Sequence, residues 1–259
     1  MPPTVPRAEE LTAAPAWRTV DFLSDLHLDP GHEATVQALA GYLAHTPADA
    51  IFLLGDLFEV WVGDDALAEH GSFESRCCAL LAQAARQHAL YFLHGNRDFL
   101  IGEGFARASG VALLPDPTVL AFAGQRWLLS HGDALCLDDV EYQRFRALAR
   151  SPAWQHAFLA APLAQRRAQA RSMRAQSEAH KHASSWYADV DPPAALAWLQ
   201  AASAQALIHG HTHRPATHVL APGQLRHVLS DWDLDATPPR AEVLRLTAKG
   251  LERLPLAPR

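Results

Sequence analysis

The feature that most restricts the fold is a set of short apolar runs, each ending in a polar cluster. TVDFL (19–23), AIFLL (50–54), LYFL (90–93), RWLL (126–129) and QALI (205–208) each read as a buried strand. Helical patterns separate the first three, ATVQALAGYLAH (34–45) and a longer one through about 66–88. Strands alternating with helices predict an α/β sheet with parallel strands.

The residues that follow the runs carry the chemistry. TVDFL leads into Asp25 and His27, AIFLL into Gly55-Asp56, LYFL into His94-Gly95-Asn96-Arg97-Asp98, RWLL into Ser130-His131-Gly132-Asp133, and QALI into His209-Gly210-His211-Thr212-His213. In open α/β sheets, sites form outside the carboxyl ends of the strands. On an extended segment, residues two apart point to one side. The sequence therefore predicts that Asp25 and His27 grip one ion, and that His211 and His213 share one site. A lone Asp after a strand is usually a turn residue, and a lone His is more often a hydrogen-bonded group than a ligand. Five strand ends in order outweigh that reading. Asp25, His27, Asp56, Asn96, His131, His211 and His213 form an oxygen-and-nitrogen donor set suited to Mn, Fe or Zn. Seven ligands exceed one tetrahedral ion. They suit two ions about 3.5–4 Å apart, with Asp56 as the bridge because a carboxylate has two oxygens to share. His94 and His209 are read as structural, and His32, His70 and His156 as surface residues.

Composition sets the context. The 259 residues, 49% hydrophobic and 19% charged, suffice for one large domain or a domain with an insertion. Three cysteines, Cys77, Cys78 and Cys136, argue against a disulfide framework and for a reducing cytoplasm. Residues 1–16 lack an apolar signal core and read as a mobile tail ahead of a domain over 17–259. No apolar run approaches the roughly 20 residues of a membrane-spanning helix.

The net charge of −6 is unevenly spread. Residues 141–187 hold seven arginines and Lys181 against Glu141 and Glu178, a net of +6 that leaves −12 elsewhere. Such an insert suits an anionic partner, a phosphate group or an anionic lipid surface, or else forms a solvated helix face. Ser151-Pro152 and Asp191-Pro192 read as helix starts. Trp154, Phe158, Leu159 and Leu163 lie among the arginines, to line a lipid site or to pack on the main domain. An acidic core without a distributed basic groove argues against a nucleic-acid partner.

DLH (25–27), GDLFEVWVGDD (55–65), GNRDF (95–99), HGD (131–133) and GHTHRP (210–215) resemble the motifs of calcineurin-like metallophosphoesterases, over about residues 19–235. GNRDFLIG, HGDALCLDD and LSDWD (229–233) narrow the resemblance to the branch that hydrolyses UDP-2,3-diacylglucosamine in lipid A synthesis. The resemblance implies a four-layer α/β/β/α sandwich of two mixed sheets, with residues 138–187 as a helical lid over acyl chains. HVLSDW (227–232) and AEVLRL (241–246) are expected as late strands, adjacent and antiparallel.

The resemblance also implies two Mn(2+) ions per chain. Asp25, His27, Asp56 and His213 would hold one, and Asp56, Asn96, His131 and His211 the other. A metal-bound hydroxide, supported by Asp56 and Arg97, would attack the α-phosphorus to give UMP and 2,3-diacylglucosamine 1-phosphate. Asn96, Arg97, Asp139, Ser177, Lys181 and His211 would contact substrate. The branch pattern calls for an Asn and a Lys near Ser177, where this chain offers Lys181 and the Ser184-Ser185 pair. Asp139 has a second reading as a helix cap, and Arg97 as a salt-bridge partner of a nearby Asp. Many relatives carry Gly-Asn-His-Glu in the third motif, with a candidate acid. Arg97 cannot readily give up a proton, which favours a weakly basic phosphate leaving group and hence a pyrophosphate substrate. The expected location is the cytoplasmic face of the inner membrane, as a peripheral protein. The sequence specifies no oligomeric state. Another phosphoesterase of the same fold is the alternative activity. A non-catalytic binding module is disfavoured because no ligand of the seven is missing.

Overall fold

The structure, a computed structural model, describes residues 5–183 and 188–256, with the backbone alone over 176–183. In chain order its strands are β1 (Glu9–Thr12), β2 (Thr19–Leu23), β3 (Ala50–Leu54), β4 (Ala89–Leu93), β5 (Ala112–Leu114), β6 (Thr118–Phe122), β7 (Gln125–Ser130), β8 (Ala206–His209), β9 (Ala216–Ala221), β10 (Gln224–Val228), β11 (Glu242–Thr247) and β12 (Gly250–Pro255). Its helices are α1 (Glu33–His45), α2 (Phe73–Ala84), α3 (Glu103–Ser109), α4 (Val140–Ala149), α5 (Pro152–Leu159), α6 (Leu163–Ala183) and α7 (Pro192–Ala201). All five apolar runs are strands, within one residue of the limits read from sequence.

The strands form two mixed sheets, ordered β12-β11-β2-β3-β4-β5 and β1-β6-β7-β8-β10-β9. The period of two along a strand builds four layers. In β3, Ala50, Phe52 and Leu54 face the space between the sheets, while Ile51 and Leu53 face the core shared with α1, α2 and α3. In β8, Ala206 and Ile208 face inward, and Leu207 joins Trp198 and Leu199 of α7 on the outside. The α/β/β/α sandwich is thus present. Strands β2 to β5 run parallel, as the intervening helices require.

Three expectations change. Residues 9–12, expected inside an unpaired tail, pair in parallel with β6, and Leu11 packs on the inter-sheet core. Tail composition does not show that an edge strand is open to receive it. The late strands are not adjacent. Strand β10 pairs with β8 and β9, whereas β11 pairs with β2 and β12 in the other sheet. Leu229, Leu244 and Leu246 all serve the same inter-sheet core, and an apolar pattern does not record from which side a core is covered. The single long helix through 66–88 becomes a 3-10 turn, Asp64–Ala68, followed by α2. Gly71 at φ 73° breaks the path, and Ser72 caps α2 by accepting from the Ser75 amide at 3.1 Å.

Residues 140–183 form three consecutive helices, α4, α5 and α6. Ser151 caps α5 with Pro152 in its first turn, and Asp191 caps α7, as expected. Trp154 stacks on Phe158 at 4.8 Å, and both pack against the α1–α3 core. Packing on the main domain, one of the sequence readings for these aromatics, is observed. Two of the arginines also turn toward the main domain. Buried Arg166 donates to the Ala161 carbonyl at 2.9 Å, and also meets the Val62 carbonyl and Asp65. Arg167 pairs with Glu69 at 2.8 Å and Glu74 at 3.2 Å.

Phe52 is fully buried, stacked on Tyr91 at 4.8 Å and 5.5 Å from Phe22. Phe52→Ala should cost about 3–5 kcal/mol, read from the midpoint of urea unfolding with an unchanged slope.

Candidate active site

The loops after β2, β3, β4, β7 and β8 meet at one rim. The first two continue to pair beyond their strands: the Asp25 amide donates to the Gly55 carbonyl at 3.0 Å, and the His27 amide to the Asp56 carbonyl at 3.0 Å. Asp25 then ties the β2 loop to the β8 loop by accepting from the His211 amide at 2.9 Å and the Ser24 hydroxyl at 2.6 Å. Gly210 and Gly95 allow these approaches. A Cβ on Gly210 would collide with Asp25 and Ser24, and one on Gly95 with Asp56.

Asp25, His27, Asp56, His211 and His213 all adopt φ between 47° and 68°. Among the described non-glycine residues only Ala123 and Ser203 share that region. Each such residue costs on the order of 1–3 kcal/mol, and such residues gather at functional sites. This corrects the extended-segment reading. Asp25 and His27 do converge, but through left-handed turns. His211 and His213 do not share one site, because their side chains diverge.

Two clusters result. In the first, His213 Nε2 lies 3.2 Å from Asp25 Oδ1 and 3.3 Å from His27 Nε2. In the second, Asn96 Oδ1 lies 2.8 Å from His211 Nδ1 and 3.0 Å from His131 Nε2, with Asp56 Oδ2 3.7 Å from the same His131 atom. Asp25, His27 and His213 form one potential metal group, and Asp25, Asp56 and His131 another. The seven residues read from the sequence are thus brought together; Asp25 belongs to both groups, whereas Asp56, expected as the bridge, belongs to the second.

Three of the four imidazoles have a partner behind the ring. The Leu54 carbonyl lies 2.9 Å from His131 Nδ1, Glu59 Oε2 2.8 Å from His27 Nδ1, and Asp231 Oδ2 3.8 Å from His213 Nδ1. Such supports set which ring nitrogen faces an ion. The Nε2 atoms of His27 and His213 converge beside a carboxylate, a donor set that fits a divalent cation held by nitrogen and oxygen.

The electrostatics follow from burial and crowding. Burial alone would lower the His131 pKa, but Asp56, Asp25 and Asp133 lift it to about 9. Burial and the nearby His131 push His211 down to about 4. Burial opposes ionisation of Asp25, yet the His213 hydrogen bond and three imidazoles hold it well below the usual carboxylate range.

Five further residues carry the site without having been assigned a role from sequence. Fully buried Asp98 accepts from the Leu57 amide at 2.7 Å, Gly95 at 2.9 Å, and Asp56 and Phe58 at 3.3 Å each. Asp133 accepts from the Tyr142 hydroxyl at 2.5 Å and Arg146 Nε at 2.8 Å, with Arg150 at 3.5 Å. Tyr142 in turn stacks on His211 at 5.9 Å and 28°. Asp98, Asp133, Glu59 and Asp231 stood inside the motifs; Tyr142 carried no signal in sequence.

The other named residues fall as follows. The Arg97 amide donates to Asp56 Oδ1 at 2.8 Å, and its half-buried guanidinium has no ion pair among the described residues, so the salt-bridge reading is not realised. Exposed Asp139 accepts from the Tyr142 amide at 3.0 Å and caps α4. The side chains of Ser177 and Lys181, and residues Ser184 and Ser185, lie outside the described residues. The His94 Nε2 sits 2.7 Å from the Ile101 carbonyl, away from both clusters. Cys77, Cys78 and Cys136 are buried free thiols.

A four-layer sandwich with oxygen and nitrogen ligands on its strand ends is the architecture of a metal-dependent phosphoesterase. The chain belongs to the calcineurin-like phosphoesterase family, whose pattern it matches over residues 18–215. Its relatives include the UDP-2,3-diacylglucosamine hydrolase of Chromobacterium violaceum, 46% identical over 92% of this chain and 98% of the relative. Those of Bordetella pertussis (43%, over 92% and 93%) and Aromatoleum aromaticum (47%, over 83% and 89%) are also similar. Among solved structures, an archaeal phosphodiesterase is similar at a TM-score of 0.45 and 10% identity, over 92% of this chain and 99% of that one.

Asp133→Ala removes the acceptor of two arginines and a tyrosine from a buried position. It should cost about 3–5 kcal/mol, whereas Asp139→Ala should cost about 1 kcal/mol as a lost cap. Burial opposes ionisation of Asp133, but Arg150 and Arg146 hold its carboxyl well below the usual range. Its contribution is therefore complete above the unfolded carboxylate pKa of about 3.9 and is lost as pH falls through the folded value. Urea unfolding followed from pH 7 downward should show a shallower acid limb in the variant.

Proposed function

We propose that this chain hydrolyses the pyrophosphate of UDP-2,3-diacylglucosamine at the α-phosphorus, giving UMP and 2,3-diacylglucosamine 1-phosphate, with two Mn(2+) ions as cofactors. The observation that carries the reading is the assembly of all seven ligand residues at one rim, in a chain 46% identical to a relative of that name. Asp25, His27, Asp56 and His213 would hold one ion, and Asp56, Asn96, His131 and His211 the other. When bound, two such ions supply positive charge to phosphate oxygens and bring the pKa of water toward neutrality.

The chain's own residues do the rest. Arg97 is held beside the site by the hydrogen bond from its amide to Asp56, and its guanidinium, which has no ion pair among the described residues, can neutralise a phosphate oxygen. It offers no proton at neutral pH, so the leaving group must depart as a weak base. The phosphate of a sugar 1-phosphate meets that demand better than an alkoxide. Asn96 and His211 hold substrate oxygens from the second cluster, and Asp139, Ser177 and Lys181 contact the substrate from the insert. Residues 138–187 act as a lid over the acyl chains. Val140, Leu148 and Leu159 are 52%, 56% and 41% exposed there, and with Arg144 they suit an anionic bilayer surface. No helix among the described residues is long and apolar enough to cross a membrane. Peripheral binding on the cytoplasmic face of the inner membrane is the location that fits this reading.

The test is hydrolysis of UDP-2,3-diacylglucosamine in detergent micelles with Mn(2+), both products being identified by mass and unacylated UDP-N-acetylglucosamine serving as control. Asp56→Ala and His131→Ala should each lower turnover by more than about 100-fold. Wild-type rates in either variant would sink the two-metal reading. Turnover of simple phosphoesters without the lipid substrate would reassign the activity within the family. A chelator should abolish turnover, and Mn(2+) added back should restore it more fully than Mg(2+), because imidazole donors suit the softer ion.

A further inference from the structure

Glu59 follows the Asp56 loop and touches two different parts of the molecule. Its Oε2 lies 2.8 Å from Nδ1 of His27, a close charge contact off the line of a hydrogen bond, and Nε2 of the same ring faces His213 and the first metal cluster. Its Oε1 is paired with the guanidinium of Arg174, which projects from α6 of the insert. The Glu59 side chain is 13% exposed and that of Arg174 26%, so the pair is only partly screened by water. The Glu59 backbone is itself fixed, its amide donating to the Leu28 carbonyl at 3.1 Å.

We propose that Glu59 is a shared positioning residue, through which metal occupancy at His27 and docking of α6 over the site strengthen one another. One carboxylate oxygen orients the His27 ring so that Nε2 points into the cluster. The other receives Arg174 and so anchors the helix. A cation on Nε2 withdraws charge from the ring and strengthens the pull of Nδ1 on Glu59. The carboxylate is then held in the rotamer that also meets Arg174. Linkage makes the effect reciprocal: whatever factor the ion adds to helix docking, docking adds to ion affinity. Arg166 and Arg167 fasten the start of the same helix to Asp65, Glu69 and Glu74, remote from the ligands. Arg174 is thus the described point at which α6 meets a residue that supports a ligand. The proposal rests on the metal-site reading above but not on the identity of the substrate.

The experiment uses the full chain, stripped of metal and titrated with Mn(2+), with no lipid present. Free Mn(2+) is followed by electron paramagnetic resonance, and backbone hydrogen exchange is measured over residues 163–175 with and without Mn(2+). In the wild type, Mn(2+) should slow exchange in that segment. Glu59→Gln should weaken binding of one ion by about 10–100-fold and remove the Mn(2+)-dependent protection even at saturation. Arg174→Gln, a change at a partly exposed side chain, should also remove the protection and weaken binding by about 5-fold. It should have no further effect in the Glu59→Gln background, because it acts through Glu59. Arg174→Lys should restore part of the protection. Wild-type affinity in Glu59→Gln, additive losses in the double variant, or protection that persists in Arg174→Gln would each overturn the proposal. Hydrolysis of a different phosphoester by a chain that shows this coupling would overturn the substrate assignment alone.

Discussion

One buried carboxylate holds the site's frame. Asp98 collects the amides of Gly95, Asp56, Leu57 and Phe58, and so joins the loop after β3 to the loop after β4. Burial and the neighbouring Asp56 charge push Asp98 up to about 7, against the amide bonds that favour its charged form. Four donors on one acceptor tie Asp56 and Asn96 to a common support. Left-handed backbone at Asp56 persists because its amide and its side chain are both fixed, by Asp98 and by the Arg97 amide. Strain of this kind survives only where the surroundings over-determine it.

The same logic governs the charge of the insert. Viewed as a sum, +6 in 141–187 looks like a surface prepared for an anion. In the fold, Arg146 and Arg150 are committed to Asp133, Arg166 to Asp65, Arg167 to Glu69 and Glu74, and Arg174 to Glu59. The acidic body and the basic insert neutralise each other across their contact. Two of the acidic partners stand next to ligands: Glu59 beside His27, and Asp133 at the hydroxyl of the Tyr142 ring that stacks on His211. The insert is therefore joined to the metal clusters from two sides, by α4 and by α6.

Much of this was legible in the linear chain. Strands of four or five apolar residues, each followed by Asp, Asn or His, placed the rim before any contact was known. The Ser151 and Asp191 caps were readable because capping is local, a side chain bonding to an amide three residues on. What escaped was non-local. The edge strand β1 and the separation of β10 from β11 into opposite sheets depend on which edge is open. Tyr142 lies in a helix of ordinary composition, and its place on His211 follows from how α4 packs.

The sequence alone determined the strands and the donor set, because strand length and ligand chemistry are properties of short segments; the four layers were implied by the resemblance of the motifs, not by periodicity. Only the tertiary structure decided how the ligands divide. Asp25 with His27, and His211 with His213, have the same spacing, yet the first pair converges and the second separates. The difference arises from left-handed turns held by partners up to 186 residues away, such as the Asp25–His211 bond. A spacing rule assumes one regular backbone, and these loops are shaped by what they touch.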